Sequence, residues 1–228
     1  MTLAEVREWV NDVLSEPAVL GVGGGEERLM IEFILPRSLV HQPVDHWHFG
    51  RELGFIRRLG IVFPVVIRSL ERLRRQSLHP QWRRKWEWLQ RNSERVGVDA
   101  VRWVRRGGQQ DPQALYAELI TEETPACVVL AFAPQPGSEF GQDEFSAALV
   151  AGAPAIVWCR TDADPDMFES ELRGLLDGRG VAALPEQVLR WRRQAAGRNP
   201  ASIVHQLAVL WDDPLRIPQP GDQLRPPA

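Results

Sequence analysis

Four short, almost uninterrupted apolar runs constrain this chain more than any other feature. They are Leu29–Leu35 (LMIEFIL), Ile61–Arg68 (IVFPVVIR), Ala126–Phe132 (ACVVLAF) and Ala155–Cys159 (AIVWC). Each has the length of a strand, and none alternates with polar residues as a half-exposed strand would. Such runs suit strands covered on both faces, as in a parallel sheet. Val98–Val104 (VDAVRWV) adds a further strand that partly alternates.

Helix signals fall between the runs. Thr2 and Glu5 form a capping box ahead of Leu3, Val6, Val10, Val13 and Leu14, which recur at helical spacing. Trp82, Trp86 and Leu89 mark one face of a helix within Pro80–Asn92. Asp111-Pro112 and Asp164-Pro165 each place a capping residue before a proline at the first helical position. Further helices are expected over Gln142–Val150, stopped by Gly152, and over Pro185–Ala196, ended by Gly197. Asn199-Pro200 predicts a last helix with Ile203, Val204, Leu207, Leu210 and Trp211 on one face. Gly21–Gly25 (GVGGG) has the glycine content of a phosphate loop but no Lys-Ser/Thr after it, so it reads as a connector. Strands alternating with helices predict an α/β fold with a mostly parallel, doubly wound, Rossmann-like sheet and helices on both faces. The expected organisation is one domain over 1–218, with a helical lead over 1–20 and a proline-rich tail over 219–228.

Charge is distributed unevenly. The chain is acidic by three charges, yet residues 57–106 hold 14 Arg or Lys against 4 Asp or Glu. A basic segment of this kind can contact a polyanion, dock a protein or lie against an acidic layer of its own fold. The two cysteines, Cys127 and Cys159, lie in apolar runs and read as reduced thiols of a cytoplasmic protein. There is no signal-like N-terminus and no apolar run of about 18 residues, so membrane spanning is not expected.

Several phrases in order resemble the vWA-MoxR-associated protein C-terminal domain family, VMAP-C. They are Ile31–Leu39 (IEFILPRSL), Pro43–Trp47 (PVDHW), Phe63–Arg72 (FPVVIRSLER) and the spaced Trp82, Trp86 and Leu89. Ala151–Arg160 (AGAPAIVWCR), Leu184-Pro185 and Leu210–Pro214 (LWDDP) complete the series. The resemblance implies a bacterial protein of a multi-component conflict or defence system. In this family the domain ends longer chains that often carry a trypsin-like protease or a small adaptor domain. No Gly-Asp-Ser-Gly occurs here, and the family supplies no catalytic residues to carry over.

No complete catalytic, cofactor or metal motif emerges from the residues themselves. His41, His46 and His48 with Asp45 match no compact zinc spacing, so no metal and no cofactor are expected. Cys159 ends a strand but lacks a histidine at the neighbouring strand ends, and a serine-hydrolase elbow is absent. In open α/β sheets ligands bind beyond the carboxyl ends of the strands. Those ends would carry Arg68, Glu71 and Arg72; Arg105 and Arg106; Glu139 and Asp143; and Arg160, Asp162 and Asp164. Arg68, Glu71, Arg72, Asp143 and Arg160 are therefore ligand-binding candidates, though ion-pair networks imitate such rims. Glu32, set among apolar neighbours, is expected to pair with Arg68 or another arginine of the adjacent strand. Arg83, Arg84 and Arg91 are the candidates for a basic face. Nucleic acid is disfavoured there, because Trp82 and Trp86 share the apolar face and would not be free to stack on bases. The leading expectation is a non-enzymatic interaction domain that docks or controls a protein effector or adaptor, such as a trypsin-like protease. The alternatives are a ligand-sensing or cryptic hydrolytic domain using the rim, and a nucleic-acid-binding module.

Overall fold

A computed structural model describes residues 2–16, 29–50, 57–92, 100–105, 111–121, 125–137, 140–161, 163–176, 180–199 and 202–218. The glycine run at 21–25 and the tail at 219–228 lie outside them.

The sheet has six strands: β1 (Ile31–Leu35), β4 (Val65–Ser69), β5 (Val101–Val104), β6 (Cys127–Leu130), β7 (Ala155–Cys159) and β8 (Leu207–Trp211). Their order is β1-β4-β8-β7-β6-β5. A small antiparallel pair, β2 (His48–Phe49) with β3 (Arg57–Arg58), stands apart. Eight α-helices lie among the described residues: α1 (Leu3–Ser15), α2 (Leu59–Val62), α3 (Leu70–Arg74), α4 (His79–Arg91), α5 (Pro112–Thr121), α6 (Glu144–Val150), α7 (Pro165–Leu176) and α8 (Leu184–Ala196). The mostly parallel α/β, Rossmann-like architecture read from the sequence is thus the one observed.

Three details of the reading change. The last expected helix is a strand: Ile203–His205 forms one tight turn, and Leu207–Trp211 becomes β8. All five of its residues are buried, so a central position in the sheet overrides the Asn199-Pro200 signal. Secondly, Ile61 and Val62 belong to α2, and the following strand starts only at Val65. Pro64 lacks the N–H that a ladder position needs. Thirdly, β1 is an edge strand with Ile34 exposed, not a strand covered on both faces.

The insertion of β8 has a geometric consequence. It runs parallel to β4 but antiparallel to β7. The sheet is therefore two three-stranded parallel halves, β1-β4-β8 and β7-β6-β5, that point in opposite directions. The carboxyl ends of one half lie beside the amino ends of the other, as the Asp212 N–H to Pro154 carbonyl bond of 2.9 Å shows.

Side-chain alternation then makes two cores. Trp158, Ile156, Leu210 and Val128 face α5 and α6, where Phe145 meets Trp158 edge-on at 5.5 Å. Val157, Cys159, Val209 and Trp211 face α4, α7 and α8, where Trp86 meets Trp211 at 5.3 Å. Each large side chain buried here contributes about 1.5–3 kcal/mol by leaving water. Gly152, at φ +86°, turns the chain after α6 and lets α4 pass. An added Cβ would lie 2.6 Å from the Gln81 carbonyl carbon. Trp86→Ala should cost about 3–5 kcal/mol, the range for deleting a large core aromatic. Urea denaturation checks this; a parental midpoint would show that Trp86 is not a core residue.

Candidate functional site

The charged residues at the ends of β4 and β8 converge on one carboxylate, Asp212. It follows β8 directly and is fully buried. Arg68, the fourth residue of β4, reaches its Oδ1 through Nε at 3.2 Å. Arg72, in α3, reaches Oδ2 through Nη1 at 3.0 Å. The Ser69 N–H also points at Oδ2, at 3.4 Å. Every one of these partners is a donor, which requires the acceptor-only, ionised form of the carboxylate. Burial pushes the Asp212 carboxyl up and the Arg72 guanidinium down, while attraction between the charges pulls both back.

The other terminal nitrogens of the two arginines also find partners, while Arg72 Nε is buried without one. Arg68 Nη1 meets Glu32 Oε2 at 3.1 Å, the pairing expected for that buried-strand carboxylate. It also donates to the Arg216 carbonyl, and Nη2 donates to the Asp213 carbonyl at 2.7 Å. Arg72 Nη2 donates to the Leu149 and Ala153 carbonyls at 2.7 and 3.0 Å. Arg72 stacks over Trp82, whose Nε1–H donates to the Asp212 carbonyl at 2.9 Å. The network thus ties β1, β4, β8, α3, α4 and the turn before β7 together.

A second layer adjoins it. Glu71 accepts from the Arg37 N–H at 2.7 Å and from Ser69 Oγ at 3.1 Å. Arg37 itself pairs with Asp143, the capping residue of α6, whose Oδ1 accepts the Ser146 N–H. Four sequence candidates, Arg68, Glu71, Arg72 and Asp143, therefore belong to one connected cluster. Arg68 and Arg72 are fully inaccessible within it.

Arg160 does not join them. It directly follows β7, and because β7 opposes β8 it lies at the opposite end of the strands. There it pairs with Asp45, as does Arg192 of α8 at 2.7 Å. Gly60 makes room for this: a Cβ there would sit 2.7 Å from Arg192 Nη1. The two arginines outweigh burial and hold the Asp45 carboxyl below its usual range. His46 Nε2 meets the His205 carbonyl at 2.7 Å beside this pair. Of the other expected rim residues, Arg105 bridges Asp166 and Glu169 on the surface. Arg106, Glu139 and Asp162 lie outside the described residues. The single rim anticipated from the strand ends is divided between the two ends of the sheet's strands.

On α4, Trp82 and Trp86 are buried and Trp88 is half-buried against the second core. Arg83 and Arg91 are exposed, Arg84 donates to the Ile120 carbonyl at 3.0 Å, and Arg91 Nε meets the Glu87 carbonyl at 3.3 Å. The basic candidates thus share a helix with no exposed aromatic. Among the described residues no group of three or more His, Cys, Asp or Glu is placed to hold a metal ion. Both thiols are free and buried, and burial pushes Cys127 up to about 12.

Comparison with known proteins adds one decisive match. The family model described as vWA-MoxR associated protein C-terminal domain covers residues 1–214. The chain belongs to the VMAP-C family. No curated protein matches it. The VMAP-C phrases read from the sequence now have physical roles: FPVVIRSLER carries Arg68 and Arg72, LWDDP carries Asp212, and PVDHW carries Asp45. Asp212, Arg192 and Arg37 carry no role in the sequence reading, and Asp45 enters it only beside the three histidines as a metal ligand that is not expected. Asp212 had a signal, since an acidic residue directly after the five-residue apolar run LAVLW marks a buried strand end.

Two predictions follow from this geometry. Asp212→Asn should destabilise the VMAP-C chain by about 3–5 kcal/mol, because buried Arg72 loses its counter-charge and Arg68 keeps only Glu32. Arg105→Ala, on the surface, should leave the denaturation midpoint nearly unmoved; equal effects of the two changes would overturn this ranking. The second concerns pH. Burial chiefly, with Arg160 and Arg192 for His46 and with Arg192 and Arg58 for His205, holds both imidazoles below 6.5. The unfolded chain then takes up protons first, so stability should fall as pH drops from about 7 through 6.5. Thermal melts between pH 7.5 and 5.5 should show this loss, and His46→Gln/His205→Gln should flatten it. An unchanged slope in that variant would assign the loss to other groups.

Proposed function

We propose that this VMAP-C chain is a non-enzymatic docking domain of a bacterial conflict system, which recruits or controls a partner protein of the same system. The observation that carries the reading is the engagement of Arg68, Arg72, Arg160 and Arg192 by buried carboxylates and carbonyls of the chain itself. The rim residues are thereby used to hold the fold, which leaves surface docking as the economical role. The family's name, which associates it with vWA and MoxR components, supports a protein partner. A trypsin-like protease or an effector adaptor is the partner that the family resemblance favours, and the cytoplasm is the compartment that suits two free thiols. Among the described residues no helix is long and apolar enough to cross a membrane.

The rival ligand-sensing or hydrolytic reading requires Arg68 and Arg72 to release Asp212, which would leave charge buried and unpaired. The nucleic-acid reading lacks an exposed stacking aromatic on α4. The test is reconstitution of the full chain with the vWA-type, MoxR-type and protease components of its own system. Size-exclusion chromatography with light scattering should reveal a complex with at least one of them. Absence of any complex, together with peptide or ester hydrolysis abolished by Cys159→Ser, would replace docking with catalysis.

A further inference from the structure

The two outer edges of the sheet are finished differently. At β5 the edge is guarded by charge. Arg102 pairs with Glu118 at 2.6 Å, Arg105 bridges Asp166 and Glu169, and Arg173 lies over Trp103. Charged side chains of this kind discourage a further strand from adding. At β1 the edge is apolar. A groove of about 390 Å³ runs along it, lined by Val6, Trp9 and Val10 of α1 and by Ile31, Phe33 and Ile34 of β1. Ile34 is 37% exposed, and Val6, Trp9 and Val10 are only half-buried.

The backbone at this edge is also open. The Ile31 N–H bonds to the Pro64 carbonyl at 2.9 Å, toward β4. In a parallel ladder, alternate residues direct both backbone groups to the same neighbour. Ile31, Phe33 and Leu35 therefore serve β4, while the N–H and C=O groups of Glu32 and Ile34 face outward. Among the described residues no strand pairs with β1 on that side.

Charge indicates the occupant. Glu5, Asp12 and Glu16 follow Trp9's flank of α1 at helical spacing, while Glu32 in the groove wall is already paired with Arg68. Of the nearby cations, Arg7 lies over the Trp47 ring and Arg216 is taken up by Glu32 Oε1 at 3.0 Å, so neither offsets the acidic flank of α1. The groove is thus apolar within and acidic along its outer flank. We propose that the outer edge of β1 and its groove bind an extended, basic segment of a partner protein by strand addition, with alternate apolar side chains entering the groove. This is the strand-addition mode in which main-chain bonds give affinity and side-chain pockets give specificity. It rests on the docking reading above and locates it.

The test uses a phage-displayed library of random twelve-residue linear peptides selected against the full chain. Enriched peptides should carry net positive charge and apolar residues at every second position. Two variants place the site. Ile34→Pro removes an outward N–H and keeps the ladder to β4, as proline does on edge strands. Asp12→Lys/Glu16→Lys reverses the acidic flank without touching the core. Each should weaken a selected synthetic peptide at least tenfold in fluorescence anisotropy, with circular dichroism and melting as in the parent. No enrichment, enrichment of acidic peptides, or undiminished binding by both variants would overturn the proposal. So would dimerisation of the chain through β1, abolished by Ile34→Pro, since the occupant would then be a second copy. If the system's own partner binds Ile34→Pro as tightly as the parent, only this placement falls. If the partner binds neither protein, the docking reading itself falls.

Discussion

The carboxylate of Asp212, held between Arg68 and Arg72, is the interaction on which the arrangement of this domain depends. A buried ion pair is weak evidence for stability by itself, because desolvation opposes the attraction. Its importance here is positional. β8 enters between two parallel half-sheets that run in opposite directions, and a strand with five apolar residues has little in its side chains to fix register. Asp212 at its end supplies a fixed point. Two arginines from the adjoining strand and helix can satisfy it in one register, and a one-residue slip would strand three charges. Glu32 extends the same charge balance to the edge strand, and Trp82 carries it to α4.

The opposite end of the central strands repeats the principle with different parts. Asp45 comes from the segment before Trp47, Arg160 from the end of β7 and Arg192 from the middle of α8. Here too two arginines converge on one buried carboxylate, and both also donate to the carbonyl of Leu207, the first residue of β8. The central strand is therefore clamped at both ends by a pair of arginines. Arginine suits these four positions, because a planar fork can satisfy a carboxylate and carbonyls together, which an ammonium does less well.

Much of this was legible in the sequence. The apolar runs gave β1, β6 and β7, the Asp-Pro pairs gave α5 and α7, and Trp82, Trp86 and Leu89 gave the buried face of α4. The pairing of Glu32 with Arg68 followed from a carboxylate stranded among apolar neighbours. What escaped was β8. Ile203, Val204, Leu207, Leu210 and Trp211 fit a helical face, and Asn199-Pro200 imitates a helix start, so local signals agreed on the wrong element. The run LAVLW is also a continuous apolar run of strand length, and only tertiary burial on both faces decides between the two. That single change reverses half the sheet, divides the expected rim and brings Asp212 into the interior. Asp45 and Arg192 escaped for a related reason: their partnership spans more than a hundred residues and leaves no local pattern.

Native-state hydrogen exchange on Asp212→Asn tests the central role of this carboxylate most directly. If Asp212 fixes the central strand, the amides of Val65–Ser69, Ala155–Cys159 and Leu207–Trp211 should lose protection together and to the same extent. Loss confined to α3 and the segment after Trp211, with β4 and β7 keeping parental protection, would contradict it.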